Sequence, residues 1–215
     1  MKTLIVRLSA IGDVVHTLPA AAALKRRGHD VDWLVEPRAR PLVEKNPAVT
    51  TALPAPPARL STLGGASATA RELRRARYDA ALDLQGLWKS AAWARVSGAR
   101  KVIGFAGPWR REPLSELLIR TRIQLASEPG LVIDKNLALL RALEIDAVGS
   151  REFPLPPSPA QSKRVGEELA SRGWPPSAER GPSRASCAAP ITTPPSTCRA
   201  CGSRRPGPAP PGRAG

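Results

Sequence analysis

Cysteine is missing from the first 186 residues of this 215-residue chain, and all three cysteines, Cys187, Cys198 and Cys201, lie near its end. Cys198 and Cys201 form a single CxxC with no histidine nearby, which does not make a metal site. No run approaches the roughly 18 apolar residues of a membrane-spanning helix, so none is expected. The opening MKTLIVRLSAIGD is apolar over only a few residues before Asp13 and reads as a buried strand rather than a signal peptide. A cytoplasmic protein is the expectation. Aromatic residues are only 4% of the chain. Helix-turn-helix, zinc-finger and RNP patterns are all absent, which removes the common modes of nucleic-acid recognition. Neither GxGxxG nor GxxxxGK[ST] follows the first apolar run, which excludes a dinucleotide-binding or P-loop first turn.

Positive charge, by contrast, is abundant. The net charge is +15 and apolar residues make up 42% of the chain, enough for a packed core. The residues from Arg180 onward hold six Arg and no Lys, Asp or Glu; without them 27 basic residues face 18 acidic ones, a net of +9. Such a body suits an anionic partner: a phosphorylated substrate or an anionic membrane surface as readily as nucleic acid.

Residues 1–176 alternate apolar runs with helical patterns. TLIVRL (3–8), VDWLV (31–35), VTTAL (49–53), DAALDL (79–84) and RKVIGF (100–105) read as strands. Helices are expected up to about Arg27, over 37–46, 68–78, within 85–98, and over 115–126, 134–145 and 158–173, with loops at 54–65 and 106–113. This alternation implies an α/β fold, a mainly parallel sheet with helices on both faces. Ligands of such sheets bind at the carboxyl ends of the strands. The turns SAIGD (9–13) and QGL (85–87) belong at that edge.

The first turn offers the clearest candidate. Asp13 suits a helix N-cap. Yet Pro19 lies too deep for the first turn of a helix capped by Asp13, so either the helix kinks or it starts near Thr17. A broken local rule at a strand's carboxyl end is where function is expected. A carboxylate there repels phosphate but can accept a proton from a sugar hydroxyl. His16 reads as structural or as a substrate contact. Gln85, Gly86 and Lys89 read as a tight turn with a solvated lysine, or as a second edge of the site. Arg110, Arg111 and Arg120 read as a solvated basic face or as forks for carboxylate and phosphate oxygens.

LIVRLSAIGDVVHTLPA with DVDWLVE, then YDAALDLQGLWKSA (78–91) and REPLSELLIR (111–120), resemble three ordered segments of the bacterial ADP-heptose:lipopolysaccharide heptosyltransferases. The similarity spans about residues 1–175 and is closest to the heptosyltransferase I type, with type II as the nearest alternative. It implies a Rossmann-like N-terminal domain of a GT-B glycosyltransferase, binding the Kdo-bearing inner core on lipid A. It further implies inverting transfer of L-glycero-D-manno-heptose from ADP-heptose, without a metal or other cofactor. Asp13 then corresponds to the catalytic base. Ser9, Gly12, His16, Gln85, Gly86, Lys89, Arg110, Arg111 and Arg120 are the candidate acceptor-binding or site-lining residues. The resemblance implies work at the cytoplasmic face of the inner membrane, on its anionic surface. One departure is that the loop after the third strand holds Arg59 alone, where relatives often carry a basic cluster. The competing reading is a nucleic-acid-binding protein that acts through its Arg/Pro-rich end.

Residues 177–215 follow a different grammar. Pro, Ala, Arg, Gly and Ser dominate, and Ile191 is the one large aliphatic residue after Arg180. Such a segment cannot offset its ordering entropy by burial and is expected to be disordered. This composition is also what a GC-rich gene yields out of frame. A frameshift after about residue 179 is therefore expected, with loss of the donor-binding domain and of most activity. Translating the coding DNA beyond Glu179 in the other two frames should reveal a patterned α/β domain. Two unpatterned frames would refute the frameshift.

Overall fold

The structure, a computed structural model, describes residues 1–56, 63–125, 130–147, 149–155 and 159–173, which divide into two units, 1–157 and 158–215. Arg59, the three cysteines and the end expected to be disordered lie outside the described residues.

Six strands build the first unit: β1 (Lys2–Val6), β2 (Asp30–Val35), β3 (Thr51–Pro54), β4 (Ala80–Asp83), β5 (Lys101–Phe105) and β6 (Thr121–Ile123). They pair in the order β3-β2-β1-β4-β5-β6, all parallel. Leu4, Ile5 and Val6 of the central strand are fully buried, as are Ala80, Ala81 and Leu82 beside them. Burial on both faces explains why these strands read as continuous apolar runs rather than alternating ones.

The chain leaves β1 through α1 (Ile11–Val15) and α2 (Leu18–Arg26). The two helices are separate because Pro19 falls in the first turn of α2, the one place where its missing N–H costs nothing. The Thr17 hydroxyl donates to the Asp13 carbonyl at 2.9 Å and closes the junction. Helix α3 (Arg40–Val43) is much shorter than the 37–46 expected. Pro37 and Pro41 both lack an N–H, which confines it to the turn after Arg40. Helices α4 (Leu63–Arg75) and α5 (Trp88–Val96) follow the pattern, and α6 (Val132–Ala138) passes into a 3-10 turn at Leu139–Leu143.

The helix expected over 115–126 is not formed. Pro113–Leu118 is a 3-10 segment, and Thr121–Ile123 is the sixth strand, in register with Ile103–Phe105. The Arg120 N–H donates to the Val102 carbonyl, so pairing along the open edge of β5 outweighs the helical pattern. Another short 3-10 turn, Gly107–Trp109, lies in the expected 106–113 loop.

Each face of the sheet has its own core. Val14, Leu18, Leu24, Val43 and Leu137 place α1, α2, α3 and α6 on one face. Leu73, Ala91, Ala94 and Ile119 place α4, α5 and the end of the 113–118 segment on the other. The second unit contributes α7 (Pro159–Ser171), which carries the pairs Lys163–Glu167 and Arg172–Glu168. No helix of the described residues is long and apolar enough to cross a membrane.

Two buried polar contacts anchor the β1 face. Trp33 donates its indole N–H to the Arg7 carbonyl at 3.2 Å, and the Tyr78 hydroxyl donates to Asp32 at 2.8 Å. Burial, with the Asp32 charge, pushes the Tyr78 pKa up. His29, 8% exposed, shares a 2.9 Å hydrogen bond with the Thr3 hydroxyl. Burial, with the terminal ammonium, holds its pKa below the ordinary 6.5. The unfolded chain therefore takes up this proton first as pH falls, and His29 costs stability below about 6.5. The urea midpoint should drop as pH falls through that value. His29→Gln should flatten that slope; an unchanged slope would exclude His29 as its source.

Candidate active site

The sheet order reverses between β1 and β4. The chain leaving β1 passes to one face and the chain leaving β4 to the other, which opens a crevice outside their carboxyl ends. Both candidate turns flank this crevice. Gln85, 7% exposed, reaches across it to accept the Leu8 N–H at 3.0 Å. Arg7 reaches the same way and donates to the Leu84 carbonyl.

Asp13 does not cap a helix. The N-cap of α1 is Ala10, and Asp13 stands in the first turn. Its Oδ2 meets the Arg7 guanidinium at 2.8 Å and that of Arg111 at 3.5 Å. The Asp13 side chain is 18% exposed, Arg7 5% and Arg111 62%. The carboxylate thus lies between a buried cation and a solvent-facing one. Both closest contacts fall on Oδ2, and no hydrogen bond to Oδ1 is found among the described residues. Burial works against the charge on Arg7, and Asp13 offsets part of that effect.

A third cation completes the surroundings. Lys135 of α6 donates to the Trp109 carbonyl at 2.5 Å and lies 4.9 Å from the Phe105 ring centroid. Burial lowers its pKa, and the charges of Arg7, Arg111 and Arg110 lower it further. The crevice is therefore strongly cationic around one carboxylate.

The second turn is organised by Asp83, the last residue of β4. Its Oδ1 accepts the N–H groups of Gln85 and Gly86, both at 3.1 Å. Its Oδ2 accepts Arg110 Nη2 at 2.5 Å, and both side chains are fully buried. Arg110 also donates to Ser115 Oγ at 2.7 Å and to the Phe105 carbonyl at 3.3 Å. Gly86 has φ +74°, and a Cβ there would lie 3.3 Å from Arg110 Cα. Both the backbone angle and the close approach require glycine.

The other candidates separate clearly. Ser9 and Gly12 line a pocket of about 450 Å³ with Leu8, Ile11, Glu36 and Arg38. A Cβ on Gly12 would meet nothing within 4 Å, so that position faces open space. Lys89 pairs with Glu36 at 3.0 Å, tying the start of α5 to the turn after β2. His16 ends α1, and its carbonyl accepts the Asn136 amide at 3.1 Å. Among the described residues its buried ring nitrogen Nδ1 has no partner. Arg110 is no acceptor fork, because its guanidinium is enclosed within the fold. Arg120 sits at the amino end of β6, away from the carboxyl edge, because the expected helix there is a strand. Among the described residues no group of three His, Cys, Asp or Glu is placed to hold a metal ion.

Sequence reasoning missed Arg7, Asp83 and Lys135. The first two carried a signal, since each is a single charge inside an apolar strand, LIVRL and AALDL. A charge in such a run needs a partner in the fold. Lys135 had no comparable mark in an amphipathic helical pattern.

A parallel sheet of this order, with an ion-paired carboxylate at its switch point, defines a Rossmann-like ligand-binding domain. Residues 66–169 match the model of glycosyltransferase family 9 (heptosyltransferase). It is 31% identical over 179 residues to lipopolysaccharide heptosyltransferase 1 of Pseudomonas aeruginosa, covering 79% of this chain and 48% of the relative. It is also 31% identical over 141 residues to the Escherichia coli K12 protein of the same name, covering 61% of this chain and 44% of the relative. The solved structure of E. coli heptosyltransferase WaaC with ADP-2-deoxy-2-fluoro heptose superposes with a TM-score of 0.59 at 28% identity, over 71% of this chain and 51% of that one. A family 9 glycosyl transferase from Veillonella parvula shares the fold at a TM-score of 0.65 and 16% identity, over 82% of this chain and 50% of that one. The chain spans about half the length of these relatives. The family match favours the glycosyltransferase reading over the nucleic-acid one.

The Asp83–Arg110 pair generates a stability prediction. Arg110→Ala should lower unfolding free energy by about 3–5 kcal/mol, since it strands a buried carboxylate. Asp83→Ala/Arg110→Ala should cost less than the two single changes together. Urea denaturation measures both; an effect of Arg110→Ala under about 0.5 kcal/mol would return Arg110 to the surface-cation class.

Proposed function

We propose that this domain binds the acceptor of a lipopolysaccharide heptosyltransferase of type I. The acceptor is the Kdo-bearing inner core on lipid A, and the donor of the transfer is ADP-heptose. The observation that carries the reading is Asp13, held at the switch point between Arg7 and Arg111, with its closest contacts both falling on Oδ2. In a single inverting displacement the attacking Kdo hydroxyl must lose its proton as its oxygen attacks the anomeric carbon. Asp13 Oδ1 accepts that proton, while the two arginines hold Oδ2 and fix the carboxylate plane.

Arg111 and Lys135 give the crevice a positive potential that suits an acidic sugar. Arg111, mostly exposed, is the fork available for the Kdo carboxylate. Ser9 and Gly12 shape the pocket beside it, and Gln85, Gly86 and Lys89 fix its second edge. The donor side belongs to the remainder of the GT-B architecture, where cations or helix N-termini stabilise the leaving ADP. No metal is required for this division of labour. The setting is the cytoplasmic face of the inner membrane, where lipid A provides the anchor of the acceptor.

Calorimetric titration of the chain with a Kdo-containing core fragment should give saturable binding, weakened about tenfold by Arg111→Ala, as expected for one charge-assisted pair. Asp13→Asn should leave binding within a few-fold. It should lower any transfer from ADP-heptose to Kdo-lipid A by about 10²–10⁴-fold. Absence of Kdo binding would overturn the acceptor assignment, and undiminished transfer by Asp13→Asn would overturn the base.

A further inference from the structure

The helical layer on the α4–α5 face of the sheet carries a surface that the site does not use. Leu114 and Leu117 are 75% and 72% exposed, the highest values among the large apolar side chains described. They are three residues apart in a 3-10 segment, a spacing at which side chains line up on one side. Trp88, 50% exposed, opens α5, and its backbone N–H donates to Glu112, two residues ahead of Leu114. Two leucines and a tryptophan are thereby exposed on neighbouring segments, with no cover among the described residues. Singly exposed leucines are ordinary; a cluster of this kind marks an interaction surface.

The charge of the whole layer selects the partner. Residues 63–77, 88–100 and 111–120 make up this layer and hold nine Lys and Arg against three Glu. Two of those acids are engaged locally: Glu112 with the Trp88 N–H and Glu116 with Arg122. Arg71, Arg75, Arg95 and Arg120 are exposed and have no carboxylate partner among the described residues. Exposed leucines, an amphipathic indole and unpaired arginines on one layer form the pattern of a membrane-interface surface.

We propose that Trp88, Leu114 and Leu117, with the arginines of the α4–α5 layer, dock this domain on an anionic phospholipid surface. The proposal deepens the acceptor reading, because the same 111–118 segment begins with Arg111 beside Asp13. Docking through it holds the crevice at the depth where a lipid-linked sugar emerges. A docking surface of another protein is the competing occupant.

The test is co-sedimentation of the full chain with vesicles of phosphatidylglycerol and phosphatidylethanolamine, free of any sugar lipid. Its result is therefore independent of the acceptor assignment, which the Kdo titration addresses alone. The wild type should bind these vesicles and release with salt, with little binding to pure phosphatidylcholine. Leu114→Ser/Leu117→Ser should weaken binding at least about tenfold, as loss of two buried leucines requires. Leu131→Ser/Val132→Ser removes two exposed apolar residues at the start of α6, on the opposite face, and should leave binding unchanged. All variants keep the basic end of the chain, so its contribution cancels. Unfolding midpoints within about 2 °C verify that these surface changes spare the fold. Failure of the wild type to bind, or equal binding by Leu114→Ser/Leu117→Ser, would overturn the proposal. Equal weakening by both double variants would also overturn it, by showing that no particular face docks.

Discussion

The buried ion pair between Asp83 and Arg110 is the contact on which the upper edge of this domain depends. One carboxylate closes the turn after β4 with Oδ1 and fixes the segment after β5 with Oδ2. That segment carries Arg111, and Arg111 reaches Asp13. Two fully desolvated charges are costly unless every remaining donor is engaged. Ser115 and the Phe105 carbonyl meet that need for Arg110, and Gly86 lets the backbones approach. The pair thus sets geometry more than stability. A hydrophobic replacement of equal volume could leave the fold standing and the edge misplaced.

A second cation–carboxylate contact, Arg7 with Asp13, differs because one side is open. Arg7 is enclosed and tied to the Leu84 carbonyl, so it cannot follow Asp13 if that residue moves. Arg111 can. The carboxylate therefore has one rigid partner and one adjustable partner, and an anionic ligand competes only for the second. The proposed acceptor site rests on this asymmetry, whereas in a structural salt bridge both partners are locked.

Much of the sheet was legible because buried parallel strands leave continuous apolar runs, and five of the six were visible that way. The sixth was not. Thr-Arg-Ile is too short for a pattern, and only the unpaired edge of β5 defines it. That error carried Arg120 to the wrong end of the sheet. The break between α1 and α2 was legible from Pro19, because proline constrains the backbone whatever its surroundings. The site was half legible. Asp13 stood out through the missing glycines, whereas Arg110 looked like its neighbour Arg111. Adjacent arginines with opposite fates, one enclosed and one in solvent, cannot be told apart by residue type. Burial decides between them, and burial here is set by Asp83, 27 residues away along the chain.

Gly12 points to a different consequence. Unlike Gly86, it has neither a left-handed backbone nor a neighbour that a side chain would strike. It lines the pocket beside the carboxylate while contributing nothing that the fold requires. Such a position uncouples the shape of a binding site from the stability of its scaffold. A lineage carrying this domain can change what the pocket admits by substituting one residue, and the sheet beneath registers no change.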